Sequence, residues 1–216
     1  MHRKVWVFAR ALYQVTTENL VVCIANMNTY STLFRDRERV WFERIRPFLP
    51  AREKKIIKIG NGFGHLSEMI RNQNANIDIF DISIFDETVN KDHVSLYRGD
   101  VIPCADSEFN TCVMNLTLHH VKNSREFLIH EVARVTSKRI ILIEETYDHV
   151  FQKIHLVFRD WWFNWKASQP CPIHWRSYFS RNGITSFVAQ NGWKITHRET
   201  MRHHSYYKEL IVIDLA

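Results

Sequence analysis

The sequence predicts a single α/β domain, because short β-strand patterns alternate with amphipathic helix patterns along most of its 216 residues. A chain of this length can bury one substantial core, and its 45% hydrophobic and 24% charged residues are ordinary for a globular protein. No run of 18 or more apolar residues occurs, so no membrane span is expected. Strands that alternate with helices at this interval form parallel β-α-β units covered on both faces.

The first 50 residues predict two helices. An apolar stripe at spacings of three and four marks the first, and a second, capped by Ser31, ends at Pro50. Lys and Arg outnumber Asp and Glu by eleven to five over residues 1–55, and the two classes are equal at eighteen each thereafter. The basic residues of this segment either attract nucleic acid or an anionic lipid surface, or form a solvated helix face.

Alternating elements follow in the rest of the chain. The predicted strands are 55–60, 76–81, 93–98, 109–118, 139–144, 193–197 and 209–214. The predicted helices are 65–72, Phe85–Asn90, Ser124–Val135, Val150–Trp165 and 185–190, the last ending at Asn191-Gly192. The strand at 139–144 is apolar almost throughout, as expected for a strand buried on both faces.

The four cysteines are widely spaced, with no Cys-x-x-Cys pair. The sequence therefore predicts no metal site or redox dithiol, and it favours reduced cysteines in a cytoplasmic compartment.

A glycine-rich turn, Gly-Asn-Gly-Phe-Gly at residues 60–64, follows the first strand. Glycines there let the chain turn sharply and let a cofactor approach the main chain, although such a motif alone is a weak indication. Asp81 ends the second predicted strand, where a carboxylate can accept hydrogen bonds from two ribose hydroxyls or can cap a turn. Asp100 follows the third strand and could bind an adenine amino group while Val101 packs on the ring.

These features occur in an ordered set. The run from Lys55 to Glu145 resembles class I S-adenosylmethionine (SAM)-dependent methyltransferases, especially those that act on small molecules and in quinone biosynthesis. Five motifs carry the resemblance: the glycine motif Ile56–Gly64, the acidic motif Ile77–Ser83, the adenine motif Gly99-Asp100, the fourth-strand motif Asp106–Val121, and the helix and strand within Glu131–Glu145.

The resemblance implies a Rossmann-like sheet of seven mostly parallel strands, with the last antiparallel and helices on both faces. It implies one domain, 1–216, with a helical cap at 1–50, a SAM-binding core at 51–149, lid helices at 150–192 and closing strands at 193–216. SAM would be the cofactor and S-adenosylhomocysteine (SAH) the product. The implied cofactor contacts are Gly60, Asn61, Gly62, Gly64, Asp81, Ile82, Asp100, Val101, Asn115 and Leu116.

Three positions depart from the resemblance: Asn61 stands where the family often has Cys or Ser, Asn110 stands where it commonly has Asp, and Lys58 is the main departure. The family usually has Asp or Glu two residues before the first glycine, near the ammonium of SAM, and this chain has Lys58. Like charges about 4–6 Å apart in a partly screened site cost on the order of one to a few kcal/mol. Lys58 therefore either points outward or meets the SAM carboxylate, or else the chain is a methyltransferase-like scaffold with weak or no catalytic activity.

His119 and His120 follow the fourth strand, and the resemblance places them beside the transferred methyl group. Either imidazole could take a proton from the acceptor, or could simply pack and hydrogen-bond to backbone. The resemblance favours His120, and Glu145 at the end of the fifth strand could orient such a histidine.

A face of the helix over 150–165 is aromatic, with Phe151, Ile154, Phe158, Trp161 and Trp165 at spacings of three and four. In the family this insertion helps to form a substrate lid, and an aromatic lid suits a small, hydrophobic or aromatic acceptor and permits peripheral membrane contact. Core packing and a dimer contact would use the same face. A nucleic-acid acceptor is the alternative that the basic N-terminus favours, but no amino-methylation or cytosine C5 motif occurs.

Overall fold

The computed structural model describes residues 32, 34–50, 55–60, 62, 64–73, 78–83, 94–96, 101–121, 125–166, 173–203 and 205–215, with the backbone alone for 78–83 and 94–96. Several predicted features lie outside these ranges. They are the first N-terminal helix, the Ser31 cap, Asn61, the short helix near Phe85–Asn90 and Asp100. Within the described part, no helix combines the length and apolarity needed to cross a bilayer.

The described helices agree closely with the predicted ones. They are α1 at 34–45, α2 at His65–Gln73, α3 at Arg125–Val135, α4 at Val150–Lys166 and α5 at Arg181–Gln190. Helix α5 begins four residues earlier than predicted because the Ser180 hydroxyl accepts the Gly183 N–H at 3.0 Å and caps the first turn. It ends before Gly192, whose φ of 71° favours glycine.

The strands, in chain order, are β1 at Lys55–Ile59, β2 at Asp78–Ser83, β3 at Val94–Leu96, β4 at Phe109–Asn115, β5 at Thr136–Tyr147, β6 at Phe179–Ser180, β7 at Lys194–His203 and β8 at Tyr206–Asp214. Several ends differ from prediction, most of all those of β5, β7 and β8, which are longer than predicted, and β6 was not predicted. Strand β4 stops at Asn115 rather than at residue 118, because Leu116 adopts a φ of 50° that ends the extended ladder. Strand β2 continues to Ser83, because that residue pairs with Leu96 of β3.

The sheet order is β3-β2-β1-β4-β5-β8-β7, with the two-residue β6 paired to β5. The pairs among β3, β2, β1, β4 and β5 are parallel, and β8 runs antiparallel to both β5 and β7. This order confirms the predicted α/β fold, including its antiparallel last strand. The order also reverses between β1 and β4, and open α/β sheets bind ligands at such a reversal.

Helices cover both faces of the sheet. Alternate residues of β1 divide between two cores: Ile57 and Ile59 join α3 and α5 on one face, and Ile56 joins α1 and α2 on the other. The second face holds Trp41 and Ile45 of α1, so the cap helix packs directly against the central strands. Both cores meet the carboxyl ends of β1 and β4, which positions the site described next.

Candidate active site

The glycine turn after β1 uses left-handed backbone at each of its three glycines. The φ angles of Gly60, Gly62 and Gly64 are 81°, 54° and 84°, a region that residues with a side chain rarely adopt. A β-carbon on Gly60 would lie 1.7 Å from the Thr117 Oγ1 atom, so the first glycine is required by a neighbouring side chain. Among the described residues, the atom nearest to a β-carbon on Gly62 would be Glu38 Oε1, at 3.7 Å. The open face of the turn is therefore at Gly62.

Lys58 points inward, so the expectation of an outward lysine is wrong. Its side chain is 0% exposed, and its Nζ atom donates a hydrogen bond to the Gly60 carbonyl oxygen at 2.9 Å. Because side chains alternate along a strand, Lys58 shares the face of Ile56, which is the face that α1 and α2 cover. The ammonium is thus folded against the glycine turn.

A carboxylate enters the same turn from α1. Glu38 is buried, and its Oε2 atom accepts the Leu66 N–H at 2.8 Å in the first turn of α2. The sequence contains a signal for Glu38, although this residue lies outside the five methyltransferase motifs. Glu38 precedes Trp41, Phe42 and Ile45 at helical spacing, so a charged residue occupies a position of the buried apolar stripe.

The end of β4 lies beside the turn. The Thr117 hydroxyl lies 3.2 Å from the Ile59 carbonyl oxygen and 2.9 Å from the Asn115 carbonyl oxygen, which ties the ends of β1 and β4 together. Asn115 is buried, and its Oδ1 atom has no hydrogen-bond partner among the residues that the structure describes. A buried amide oxygen without a partner is costly, and a ligand donor would satisfy it.

The remaining predicted cofactor residues are placed less completely. Asp81 lies inside β2 rather than at its end, in register with Lys58, and Ile82 is in register with Ile59. Val101 is 58% exposed, and the next residue is anchored because the Ile102 N–H donates to Glu131 Oε2 at 2.9 Å.

The two histidines differ sharply in environment. They lie in a 3-10 turn, Leu118–His120, where His119 is 4% exposed and His120 is half-buried, with ring centroids 4.0 Å apart. His119 Nδ1 is 2.6 Å from Glu144 Oε1. Burial by itself lowers the pKa of His119, but the carboxylates of Glu144, Asp160 and Glu145 outweigh it and raise the pKa from 6.5 to about 9. His119 is therefore an imidazolium at neutral pH and cannot accept a proton.

Glu144, not Glu145, orients the histidine, and strand geometry explains the difference. Residues of β5 alternate between the two faces of the sheet, so Glu144 shares the face of Ile140 and Leu142. Leu118, the neighbour of His119, packs in the same core as these two residues. Glu144 Oε2 also accepts the Leu118 N–H at 2.9 Å, so one carboxylate holds the whole 3-10 turn.

Glu145 points to the opposite face of β5, and its ion partner Arg159 also pairs with Asp160, which links Glu145 to the histidine turn. Its carboxylate pairs with Arg159 of α4 and lies 3.5 Å from the Lys208 ammonium. The next residue of α4, Asp160, accepts the Tyr178 hydroxyl at 2.6 Å and lies 3.9 Å from His119 Nε2. Helix α4 thus brings two successive charged residues to the carboxyl end of β5, an arrangement that the aromatic pattern did not reveal.

The aromatic face of α4 is exposed, so core packing is the wrong interpretation of it. Phe151 is 76% exposed and Trp165 is 63% exposed, with Ile154, Phe158 and Trp161 about half exposed between them. The opposite side of the helix packs inward through Leu156 and Asp160. An apolar face of this size is typical of a surface that receives a partner or ligand.

A profile of the family described as "Methyltransferase domain" matches residues 33–198. No curated protein matches the chain.

Solved structures share its fold. A SAM-dependent methyltransferase from Methanosarcina mazei is 16% identical, with a TM-score of 0.58 over 79% of this chain and 95% of that one. A chain in the complex between the Haloferax volcanii Trm112 methyltransferase activator and a methyltransferase is 12% identical, with a TM-score of 0.62 over 90% and 96%. Geranyl diphosphate C-methyltransferase from Streptomyces coelicolor, solved with Mg2+, geranyl-S-thiolodiphosphate and S-adenosyl-L-homocysteine, is 13% identical, with a TM-score of 0.60 over 82% and 76%.

Proposed function

We propose that this chain methylates a small, hydrophobic or aromatic acceptor. It belongs to the methyltransferase domain family and is an enzyme whose cofactor is SAM. The observation that carries the proposal is the position of the glycine turn. The turn follows β1 at the point where the strand order reverses toward β4, and Asn115 ends β4 on the other side of that crevice. Ligands of open α/β sheets bind in this crevice.

The residues present fit the cofactor. Gly62 has an open face, and Asn115 Oδ1 lacks a hydrogen-bond partner among the described residues, so this amide can accept from a bound amino group. In the proposed arrangement, Gly60–Gly64, Asn115 and Leu116 hold the methionine portion, Asp81 and Ile82 the ribose, and Asp100 and Val101 the adenine. When bound, SAM supplies an electrophilic methyl group on a sulfonium that leaves as the neutral thioether of SAH.

The chain's own contribution is positioning and proton transfer. An acceptor atom donates its electron pair to the methyl carbon as the carbon–sulfur bond breaks. Alignment of the acceptor atom with that bond contributes most of the rate acceleration. His119 is already protonated. The acceptor proton therefore goes to His120, which is half-buried beside it, while Glu144 fixes the turn that carries both rings.

The aromatic face of α4 supports this acceptor class. Its exposed side chains offer an apolar surface to a compound on the side of the helix opposite Leu156 and Asp160. Planar or lipidic molecules bind well to such aromatic surfaces, and Trp side chains also favour membrane interfaces.

Paired glycine variants test the cofactor site. Gly62→Ala and Gly192→Ala both place a β-carbon on left-handed backbone, so both incur comparable backbone strain. The new methyl group at 62 would lie 3.7 Å from Glu38 Oε1, beside the proposed cofactor space, whereas one at 192 would have no described atom within 4 Å. Isothermal titration with SAH should show at least a tenfold weaker Kd for Gly62→Ala and an unchanged Kd for Gly192→Ala.

Equal affinities of the two variants would contradict the proposed cofactor site. Failure of the wild-type chain to bind SAM or SAH would favour the scaffold alternative instead. Mass measurement of ligand that copurifies with the protein is an independent check, and methyl transfer from labelled SAM to a panel of apolar compounds and RNA would distinguish the acceptor classes.

A further inference from the structure

We propose that Glu38 of the cap helix α1 supplies the carboxylate that binds the ammonium group of the cofactor's methionine portion. The inference rests on the proposed function, since it assigns a recognition role within the same site. It accounts for the lysine at position 58, where the resemblance to known methyltransferases predicts an acid.

The position of Glu38 is the first support. Its Oε2 atom is committed to the Leu66 N–H at 2.8 Å, and its Oε1 atom lies 3.7 Å from the place of a β-carbon on Gly62. Gly62 is the open part of the turn, so one oxygen of a buried carboxylate borders the space where an amino acid moiety would lie. An ammonium placed there gains a charge-assisted hydrogen bond.

The charge of the surroundings is the second support. Lys58 reaches the turn from the same face of the sheet, but its ammonium donates to the Gly60 carbonyl oxygen rather than projecting past it. The N-terminus of α2 adds a partial positive charge at Leu66. A ligand ammonium entering this region needs a nearby anion, and the buried Glu38 is the carboxylate that reaches the Gly62 face in the described part of the chain.

A simpler role for Glu38 is to cap α2, which a carboxylate at a helix N-terminus does well. The two roles make different demands on the side chain. Capping needs an oxygen that accepts the Leu66 N–H, and the amide of Glu38→Gln retains one. Ammonium recognition needs the negative charge, which Glu38→Gln removes.

The test compares two ligands that differ only at the amino acid end. SAH carries the ammonium, whereas 5′-methylthioadenosine has the same adenosine and sulfur but no amino acid moiety. We expect Glu38→Gln to weaken SAH binding by about 10- to 100-fold, the usual worth of a hydrogen bond to a charged group, and to change the Kd of 5′-methylthioadenosine by less than about twofold. Glu43→Gln, an exposed glutamate on the same helix, is the matched control and should change neither Kd.

Each outcome is decisive. If SAH and 5′-methylthioadenosine lose affinity together while the unfolding midpoint falls, Glu38 maintains the structure of the turn and does not recognise the ammonium, and the inference is overturned. If the variant binds both ligands as the wild type does, the carboxylate does not face the ammonium. If the wild type binds 5′-methylthioadenosine and SAH equally, no ammonium site exists, yet the adenosyl site of the proposed function survives. If the wild type binds neither ligand, both proposals fail.

Discussion

Raising the pH through 9 should destabilise the folded chain through one buried histidine, and Glu144→Gln should remove at least half of that pH dependence. His119 is held between Glu144 Oε1, 2.6 Å from Nδ1, and Asp160 Oδ2, 3.9 Å from Nε2. Burial disfavours the imidazolium, but the carboxylates outweigh this and raise the pKa of His119 from 6.5 to about 9. The folded state therefore holds a proton that the unfolded chain has already released at pH 8.

The sign and size of the effect follow from linkage. Because the pKa is higher in the folded state, the stabilisation is fully present below about pH 6.5 and is lost as the pH rises through about 9. At about 1.4 kcal/mol for each pKa unit, the difference between the two states amounts to about 3 kcal/mol. His119 is almost completely buried, so solvent screens this interaction little.

Urea unfolding measured from pH 6 to 9.5 tests this value. The wild type should lose about 3 kcal/mol of unfolding free energy over that range, and Glu144→Gln about half of that or less. The variant should also be about 3 kcal/mol less stable at pH 6, because one partner of a buried pair is gone. Glu126→Gln, at a half-exposed glutamate of α3, corrects for other groups. An equally steep loss in Glu144→Gln would refute the reasoning and would return His119 to the candidate bases.

Two further substitutions probe the walls of the site. Arg134→Met removes hydrogen bonds to the carbonyl oxygens of Ile102 and Cys104, at 2.9 and 3.0 Å. The unfolding free energy in urea should fall by about 1–2 kcal/mol. Titration should show severalfold weaker SAH binding, because this loop carries Val101. Unchanged SAH affinity would separate this loop from the cofactor. Trp165→Ser should leave the unfolding free energy within about 0.5 kcal/mol, because the side chain is mostly exposed, yet lower kcat/KM for an apolar acceptor. A loss of stability above about 2 kcal/mol would instead mean that this face is packed.

Alternating patterns were sufficient to predict the architecture. The apolar run of β5 indicated burial on both faces, and the structure has it between β4 and β8, beneath helices on each side. The turn at Gly60–Gly64 was likewise predictable, since a glycine motif after a strand is a local feature, whereas the end of β4 depends on the backbone of Leu116 and was predicted three residues too late.

The contacts of the charged residues in the site were not predictable, because they depend on which face of a strand a residue occupies and on which helix packs against it. Glu144 and Glu145 are adjacent, and only the pairing of β5 decides which of them reaches the histidine turn. Glu38 lies far from the glycine motif in sequence, and its contact with Leu66 forms only when α1 packs on β1. The exposed α4 face had the periodicity of a core helix, and periodicity alone does not reveal whether anything covers it.

Strand β5 presents two successive carboxylates to opposite faces of the sheet. Glu144 contacts the His119 imidazolium, whereas Glu145 pairs with Arg159 and Lys208, and Arg159 together with Asp160 links the two groups. Lys208 faces Glu145 because the two residues are in register between β8 and β5. A shift of β8 by one residue would turn Lys208 to the other face of the sheet. Damage to the closing hairpin of β7 and β8, remote from the glycine turn, would therefore be felt first as the loss of one cation beside Glu145.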